Sequence, residues 1–137
     1  MNTKPQRSGP LPHVPTELLI GGEWVPASDN GRFPVTDPAS GETIAEVANA
    51  TVADARLALD AAEAAATTWR DYPPRERAEL LRAAFELMRQ REEDLTELIV
   101  RENGKAWDDA LAEVRYAAEF FRWYAEEAVR MLGETSR

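Results

Sequence analysis

The sequence predicts an α+β chain in which two N-terminal β-hairpins precede three long amphipathic α-helices. Residues 18–47 contain short apolar runs separated by turn-forming residues, which is the pattern of hairpins. Residues 51–133 contain apolar side chains spaced three and four apart, which is the pattern of helices with one buried face. The proline-rich stretch 1–16 has neither pattern. We therefore expect a flexible arm at 1–16 and a structured part at 17–137.

Glycines and prolines mark the turns of the two hairpins. Gly21-Gly22 lies between short apolar runs, and a two-residue hairpin turn needs positive φ angles that glycine adopts without strain. Asp37-Pro38-Ala39-Ser40-Gly41 predicts the second turn, because Asp bonds the backbone ahead of it and Pro fixes φ. The flanking segments 32–36 and 42–47 alternate polar and apolar residues and predict strands.

Capping signals delimit the helices. Thr51-Val52-Ala53-Asp54 is a capping-box signature that opens the first helix, and Pro73-Pro74 ends it and starts the second. Asn103-Gly104 ends the second helix as a C-cap pair. The third helix begins near Ala106 and closes at Gly133. The apolar stripe of the first helix is Val52, Ala55, Leu59, Ala62, Ala66 and Trp69, and that of the second is Leu81, Ala84, Met88, Leu95, Leu98 and Ile99. Such stripes require a surface to pack against.

The third helix carries more apolar surface than one buried face requires. Its predicted stripe is Trp107, Leu111, Val114, Ala118, Phe121, Ala125, Ala128 and Leu132. Phe120, Trp123 and Tyr124 add aromatic rings on other sides of the same helix. Because a helix that is apolar on several sides needs neighbours on several sides, we expect the third helix to belong inside a larger structure.

Composition excludes several classes of partner. The 137 residues carry a net charge of −9, which argues against nucleic acid and against anionic membrane surfaces. No apolar run approaches the roughly 18 residues of a membrane span, and the N-terminus lacks the apolar centre of a secretory signal. We therefore predict a cytoplasmic protein that binds neither nucleic acid nor membrane.

The sequence contains no recognisable catalytic constellation. There is no cysteine, no glycine-rich nucleotide loop and no nucleophile elbow, so we predict no catalytic, cofactor-binding or metal-binding residues. The single histidine, His13, is interpreted as a solvated residue of the arm. The acidic run Glu92-Glu93-Asp94 is interpreted as a solvated helix face rather than a cation site. The same interpretation applies to four further glutamates, Glu76, Glu79, Glu86 and Glu97.

Five short motifs, in order along residues 18–134, resemble the NAD(P)-dependent aldehyde dehydrogenases. The opening Leu-Leu-Ile-Gly-Gly-Glu-Trp-Val at 18–25 is similar to the first strand of that family, and Asp-Pro-Ala-Ser-Gly-Glu at 37–42 to its Asn-Pro-Ala-Thr-Gly-Glu turn. Trp69 followed by Pro-Pro-Arg-Glu-Arg at 73–77, Glu-Asn-Gly-Lys at 102–105, and the helix containing Phe-Phe-Arg-Trp-Tyr at 120–124 complete the match.

The resemblance implies the N-terminal portion of an α/β, Rossmann-like aldehyde dehydrogenase fold. Such enzymes oxidise aldehydes to carboxylic acids with NAD or NADP, using a cysteine thiolate that attacks the aldehyde. The residues that perform this chemistry are expected after Arg137, so this segment alone is predicted to bind no cofactor and to be inactive. The resemblance also implies a homo-oligomer, dimer or tetramer, for the complete enzyme, and succinate semialdehyde or a related aldehyde as its substrate.

Two further possibilities stay open at this stage. Some family members hold a structural monovalent cation with backbone oxygens of the second hairpin and an acidic group before the Asn-Gly-Lys. The matching positions are Val35, Thr36 and Glu102, where Glu replaces the Asp found in some members. The alternative is that Glu102 binds no cation and instead belongs to a local hydrogen-bond network at the end of its helix. Lys105 is interpreted as a packing residue at a helix start. The alternative to a partial enzyme is a non-catalytic interaction or oligomerisation module that pairs with full-length subunits.

Overall fold

The computed structural model describes residues 14–130. Most of the predicted arm at 1–16, including His13, lies outside the described residues, as do Leu132 and Gly133 at the predicted end of the third helix. Within the described range the predicted fold class is confirmed, because two antiparallel strand pairs precede a series of helices.

The first hairpin pairs β1 (Leu18–Ile20) with β2 (Glu23–Val25). Gly21 and Gly22 form its turn with φ angles of 62° and 88°. The predicted two-glycine turn is therefore confirmed, because both central residues occupy the positive-φ region that a primed turn requires.

The second hairpin pairs β3 (Arg32–Thr36) with β4 (Thr43–Ala48), and its register shifts between Val35 and Thr36. Asp37 organises the turn, because its Oδ1 accepts a hydrogen bond from the backbone N–H of Ala39 at 2.8 Å. Its carbonyl accepts a second bond from the N–H of Gly41 at 2.7 Å. The side-chain bond predicted for Asp37 is therefore confirmed.

Four helices follow, where the sequence predicted three. They are α1 (Val52–Asp71), α2 (Pro74–Gln90), α3 (Glu92–Asn103) and α4 (Trp107–Ala128). The predicted starts at Pro74 and near Ala106 and the predicted end at Asn103 are confirmed. The prediction of a single long second helix is wrong, because the segment divides at Arg91 into two helices.

Arg91 interrupts the helix without proline or glycine. Its backbone lies at φ −101° and ψ 20°, outside the α-helical region. Its N–H still donates to the carbonyl of Leu87, and its own carbonyl accepts from Leu95, both at 3.0 Å. Glu92, Glu93 and Asp94 fill the first turn of α3, where carboxylates interact favourably with the positive end of the helix. The acidic run therefore marks a helix start.

The described chain divides into two compact units. The first contains the hairpins and α1 as far as Arg70, together with Leu98–Lys105. Its most buried side chains are small or capping residues, Ala27, Asp37, Ala48 and Asp54. The predicted apolar stripe of α1 is not covered by the described residues, since Leu59 is 68% exposed and Val52 72% exposed.

The second unit is built on the packing of α2 against α4. The buried apolar side chains of this unit are small, and they are Ala78, Ala110, Val114, Ala118 and Ala125. Part of the predicted apolar stripe of α4 is buried, because Val114, Ala118 and Ala125 are among them.

No helix within residues 14–130 is both long enough and apolar enough to cross a membrane.

Candidate functional site

The positions proposed for a cation lie near one another in the first unit. Val35 and Thr36 occupy the irregular step at the end of β3, and Pro38 lies two residues after Thr36. A Cβ placed on Gly104 would lie 2.9 Å from Cγ of Pro38, so the end of α3 touches this turn two residues after Glu102.

Among the described residues, acidic side chains do not cluster around these positions. Glu102 is exposed, and no group of three or more His, Cys, Asp or Glu side chains within the described residues is arranged to hold a metal. Lys105 is half-buried before α4. The absence of a metal-binding residue stays a prediction.

Asp54 is a buried carboxylate in the first unit with several hydrogen-bond donors. Its Oδ2 accepts hydrogen bonds from the backbone N–H and the hydroxyl of Thr51, both at 2.8 Å. The N–H of Asp54 in turn donates to Oγ1 of Thr51 at 3.2 Å, which completes the predicted capping box. The backbone N–H of Ser28, 26 residues earlier, also donates to both carboxylate oxygens at 3.2 Å.

These bonds favour the charged form of Asp54. The backbone N–H of Thr51 is the largest cause that lowers the pKa of Asp54, and burial opposes it. The Thr51 hydroxyl and the donors of Ser28 lower it further. Asp54 therefore joins the loop after β2 to the start of α1, and its role in this arrangement is structural.

In the second unit, Glu92 is a carboxylate with several partners and a lowered pKa, as Asp54 is in the first. Its side chain is 16% exposed and forms ion pairs with Arg89 and Arg115. The hydrogen bond from Arg115 is the largest cause that lowers the pKa of Glu92, and burial opposes it. The interpretation of the acidic run as a solvated helix face is therefore wrong for Glu92, although Glu93 and Asp94 are exposed.

The same interpretation fails for one of the other glutamates. Glu97 is buried at 7% exposure, whereas Glu76, Glu79 and Glu86 are exposed as expected. Glu97 lies between Leu95 and Leu98 of the predicted apolar stripe. This position was the signal in the sequence that its side chain is buried.

The outer side of α4 carries four large aromatic rings. Tyr116, Phe120, Trp123 and Tyr124 are spaced four, three and one apart, so they lie on one side of the helix. They are between 46% and 69% exposed. We call these four residues the aromatic face of α4. Tyr116 and Phe120 meet edge to face with ring centroids 5.0 Å apart.

A shallow groove of about 300 Å³ follows this face, and Glu119 is the one charged residue that lines it. The carboxylate of Glu119 pairs with Nη2 of Arg122 at 2.6 Å. The guanidinium of Arg122 also lies 5.8 Å from the ring centroid of Phe85 on α2. The groove therefore presents mainly aromatic surface, and the charge of Glu119 is paired with that of Arg122.

Comparison with known proteins places this architecture. Residues 24–137 match the model of the aldehyde dehydrogenase family. The succinate-semialdehyde dehydrogenase NADP(+) of Saccharomyces cerevisiae is 46% identical over 116 residues, which cover 85% of this chain and 23% of that protein. The mitochondrial succinate-semialdehyde dehydrogenase of Hylobates lar is 42% identical over 119 residues, which cover 87% of this chain and 22% of that protein.

A solved structure also resembles this chain. The crystal structure of succinate-semialdehyde dehydrogenase from Burkholderia pseudomallei superposes with a TM-score of 0.82 at 40% identity, over 86% of this chain and 24% of that chain. The chain thus spans about a quarter of the length of the relatives it matches. Because the family model matches residues 24–137, the chain belongs to the aldehyde dehydrogenase family.

Proposed function

We propose that this chain supplies the N-terminal, non-catalytic part of an NAD(P)-dependent aldehyde dehydrogenase that oxidises succinate semialdehyde or a closely related aldehyde. The observation that carries the proposal is its identity of 42% and 46% with two succinate-semialdehyde dehydrogenases along most of its length. The proposed substrate rests on the names of both relatives, which state succinate semialdehyde.

The chain alone is proposed to be inactive. Aldehyde oxidation in the family requires a cysteine thiolate as nucleophile, and none of the 137 residues is a cysteine. The clustered charged groups of the described residues also have structural partners, because Asp54 caps a helix and Glu92 joins two arginines. The proposed contribution of this segment is therefore to complete the fold that holds the chemistry.

The remaining features belong to the complete enzyme. NADP is named for the yeast relative, which supports NADP or NAD as the cofactor there. We also propose a homo-oligomer, dimer or tetramer, and a cytoplasmic location, although one relative is named as mitochondrial.

A chimera tests this proposal. The first quarter of the Burkholderia pseudomallei enzyme is replaced by this chain, and reduction of NAD and NADP by succinate semialdehyde is followed by absorbance. We expect a clear rate from the chimera and none above the blank from the isolated chain. Circular dichroism and the elution volume establish that both proteins are folded.

Two results would contradict the proposal. A rate from the isolated chain would place the chemistry within these 137 residues. A folded chimera that binds cofactor but oxidises no aldehyde would show that this segment does not fulfil the role of its counterpart.

A second candidate function is a non-catalytic module that pairs with full-length subunits. The exposed aromatic face of α4 favours it, because exposed apolar clusters mark interaction sites. Co-expression with the intact Burkholderia pseudomallei subunit and purification through a tag on this chain would test it. We expect co-elution at a fixed ratio, whereas a monomeric chain with a cooperative melt and no bound subunit would exclude this candidate.

A further inference from the structure

We propose that Asn30 is a site of spontaneous chemical modification, at which the backbone nitrogen of Gly31 displaces the side-chain amide and the chain gains a carboxylate. The sequence contains two Asn-Gly pairs, at 30–31 and at 103–104. Asparagine is a chemically labile residue, and a following glycine, which has no Cβ, leaves its own backbone nitrogen unhindered. The proposal selects the first pair and does not depend on the proposed function.

The reaction takes place in two balanced steps. The nitrogen of Gly31 loses its proton and bonds to Cγ of Asn30, the bond from Cγ to Nδ2 breaks, and ammonia leaves with that proton. A five-membered succinimide ring remains. One water then opens the ring at either carbonyl. The product is aspartate, or isoaspartate if the main chain afterwards runs through Cγ.

The two Asn-Gly pairs have the same local chemistry. The first is Asp-Asn-Gly-Arg at 29–32 and the second is Glu-Asn-Gly-Lys at 102–105, so an acidic residue precedes and a basic residue follows each pair. Asn30 and Asn103 are both exposed. Neither the flanking charges nor access to water therefore distinguishes them, and the backbone conformation decides which one reacts.

The backbone around Asn30 leaves the Asn30–Gly31 peptide free to rotate, as ring closure requires. This pair lies in the loop between β2 and β3, in neither helix nor strand. The N–H of Asn30 donates to the carbonyl of Ala27, and the carbonyl of Gly31 accepts from Asn49, both at 2.8 Å. These two bonds hold groups on either side of the peptide and can persist while it turns.

The bond that rotation must break is an exposed one. The N–H of Gly31 donates to Oδ1 of Asp29 at 2.7 Å, and water can replace this exposed carboxylate at little cost. Asn30 also has φ 57°, a left-handed conformation that L-residues other than glycine seldom adopt. Local rearrangement of this loop therefore costs little free energy.

The second pair is held more firmly. Asn103 is the last residue of α3, and the N–H of Gly104 donates to the carbonyl of Val100 at 2.9 Å in a helical bond. A Cβ on Gly104 would lie 2.9 Å from Cγ of Pro38, so the adjacent turn also restricts movement there. Ring closure at Asn103 requires the end of the helix to open first.

The isoaspartate product would alter the second hairpin. It inserts one methylene into the main chain directly before Gly31, whose carbonyl is bonded to Asn49. Arg32, the next residue, opens β3 and pairs with Ala48. The isoaspartate form is therefore expected to weaken the start of this strand pair, whereas the aspartate form keeps the length of the main chain.

Peptide mapping by mass spectrometry tests the proposal on the whole chain. The chain, verified as folded by circular dichroism, is incubated in a warm, mildly alkaline buffer, and a parallel sample is incubated in urea. The gain of one dalton is followed at each asparagine. We expect Asn30 to convert roughly tenfold faster than Asn103 in the folded chain, and the two rates to agree within about twofold in urea.

Two outcomes would overturn the proposal. A rate at Asn30 equal to or below that at Asn103 in the folded chain would show that the loop does not favour the reaction. The same tenfold difference in urea would show that the fold does not select the site.

Gly31→Ala provides a second measurement. Gly31 does not adopt positive φ, and the new Cβ would approach only the exposed carboxylate of Asp29, which can turn away. The melt should therefore be nearly unchanged. The added methyl group hinders the attacking nitrogen, so conversion of Asn30 should slow by about fivefold or more, while Asn103 serves as the unaltered control. An unchanged rate at Asn30 in the folded variant would contradict the proposed attack.

Discussion

Glu92 accepts two hydrogen bonds from Arg115 through the same oxygen, at 3.1 Å from Nε and 2.7 Å from Nη2. Arg89, at the end of α2, pairs with the other oxygen of the same carboxylate. The first turn of α3 is thereby held to α4 and to α2 at the point where the helix divides.

Glu92→Gln should lower the melting temperature of the chain by roughly 2–4 °C at neutral pH, because the amide loses the charge that both arginines share. The effect stays small because Arg115 is 54% exposed and water screens the pair. Thermal melts by circular dichroism measure it. The matched control is Asp94→Asn, an exposed carboxylate in the same helical turn, which should change the melt by less than half as much. Equal shifts would contradict the bridging role of Glu92.

Stability should depend on the charge of Asp54 at acid pH. The pKa of Asp54 is lowered in the folded chain, so its ionisation stabilises the fold above the ordinary carboxyl pKa. That contribution is lost as the pH falls below about 4 and through the lowered pKa. The difference in melting temperature between the wild type and Asp54→Asn should therefore be largest at neutral pH and should shrink towards pH 2.

Asp60→Asn is the control for this titration, because Asp60 is exposed on the same helix. It should leave the melting temperature nearly unchanged across the pH series. A difference between wild type and Asp54→Asn that does not vary with pH would contradict the argument.

Gly104→Ala should destabilise the chain for two separate reasons. Gly104 has φ 75°, which costs an L-residue about 1 kcal/mol, and its new Cβ would lie 2.9 Å from Cγ of Pro38. We expect a total loss of about 2 kcal/mol in urea denaturation. Gly41→Ala is the matched control, since Gly41 has φ 74° with nothing within 4 Å. Its loss should be about 1 kcal/mol, and equal losses would mean that Pro38 yields without cost.

Ala118→Leu should destabilise the packing of α2 on α4. Ala118 is fully buried, and extra methyl groups in a close-packed contact cost about 1–3 kcal/mol. Ala117→Leu, at the adjacent exposed position of the same helix, should change the free energy of unfolding by less than about 0.5 kcal/mol. Urea denaturation of both variants measures the difference. A tolerated leucine at 118 would mean that the two helices are not closely packed there.

Local signals in the sequence were sufficient for the turns and the caps. Gly21-Gly22, the Asp37 turn and the Thr51–Asp54 box were predictable, because each structure is determined by the chemistry of a few adjacent residues. The division at Arg91 was not, since neither proline nor glycine marks it. The acidic residues that follow were a signal, because they are typical of a helix start.

The environment of individual charges depended on tertiary contacts. Glu92 meets Arg115 from 23 positions away, and no spacing rule relates the two residues. The burial of Glu97 likewise reflects the packing of α3. Which side of α4 faces inward was predictable, because Val114, Ala118 and Ala125 are spaced four and seven apart. The exposure of the apolar stripe of α1 was not predictable, because the sequence of this helix does not specify which surfaces are available to cover it.

The bond between Ser28 and Asp54 couples the start of a helix to a loop far away in the sequence. Forming the first turn of a helix is unfavourable until later hydrogen bonds compensate for it. The carboxylate that supports the first turn of α1 also receives a backbone N–H from 26 residues earlier. The first turn of α1 and the closed loop after β2 therefore stabilise each other. Ser28, which lies outside the helix, thus contributes to the stability of the helix start.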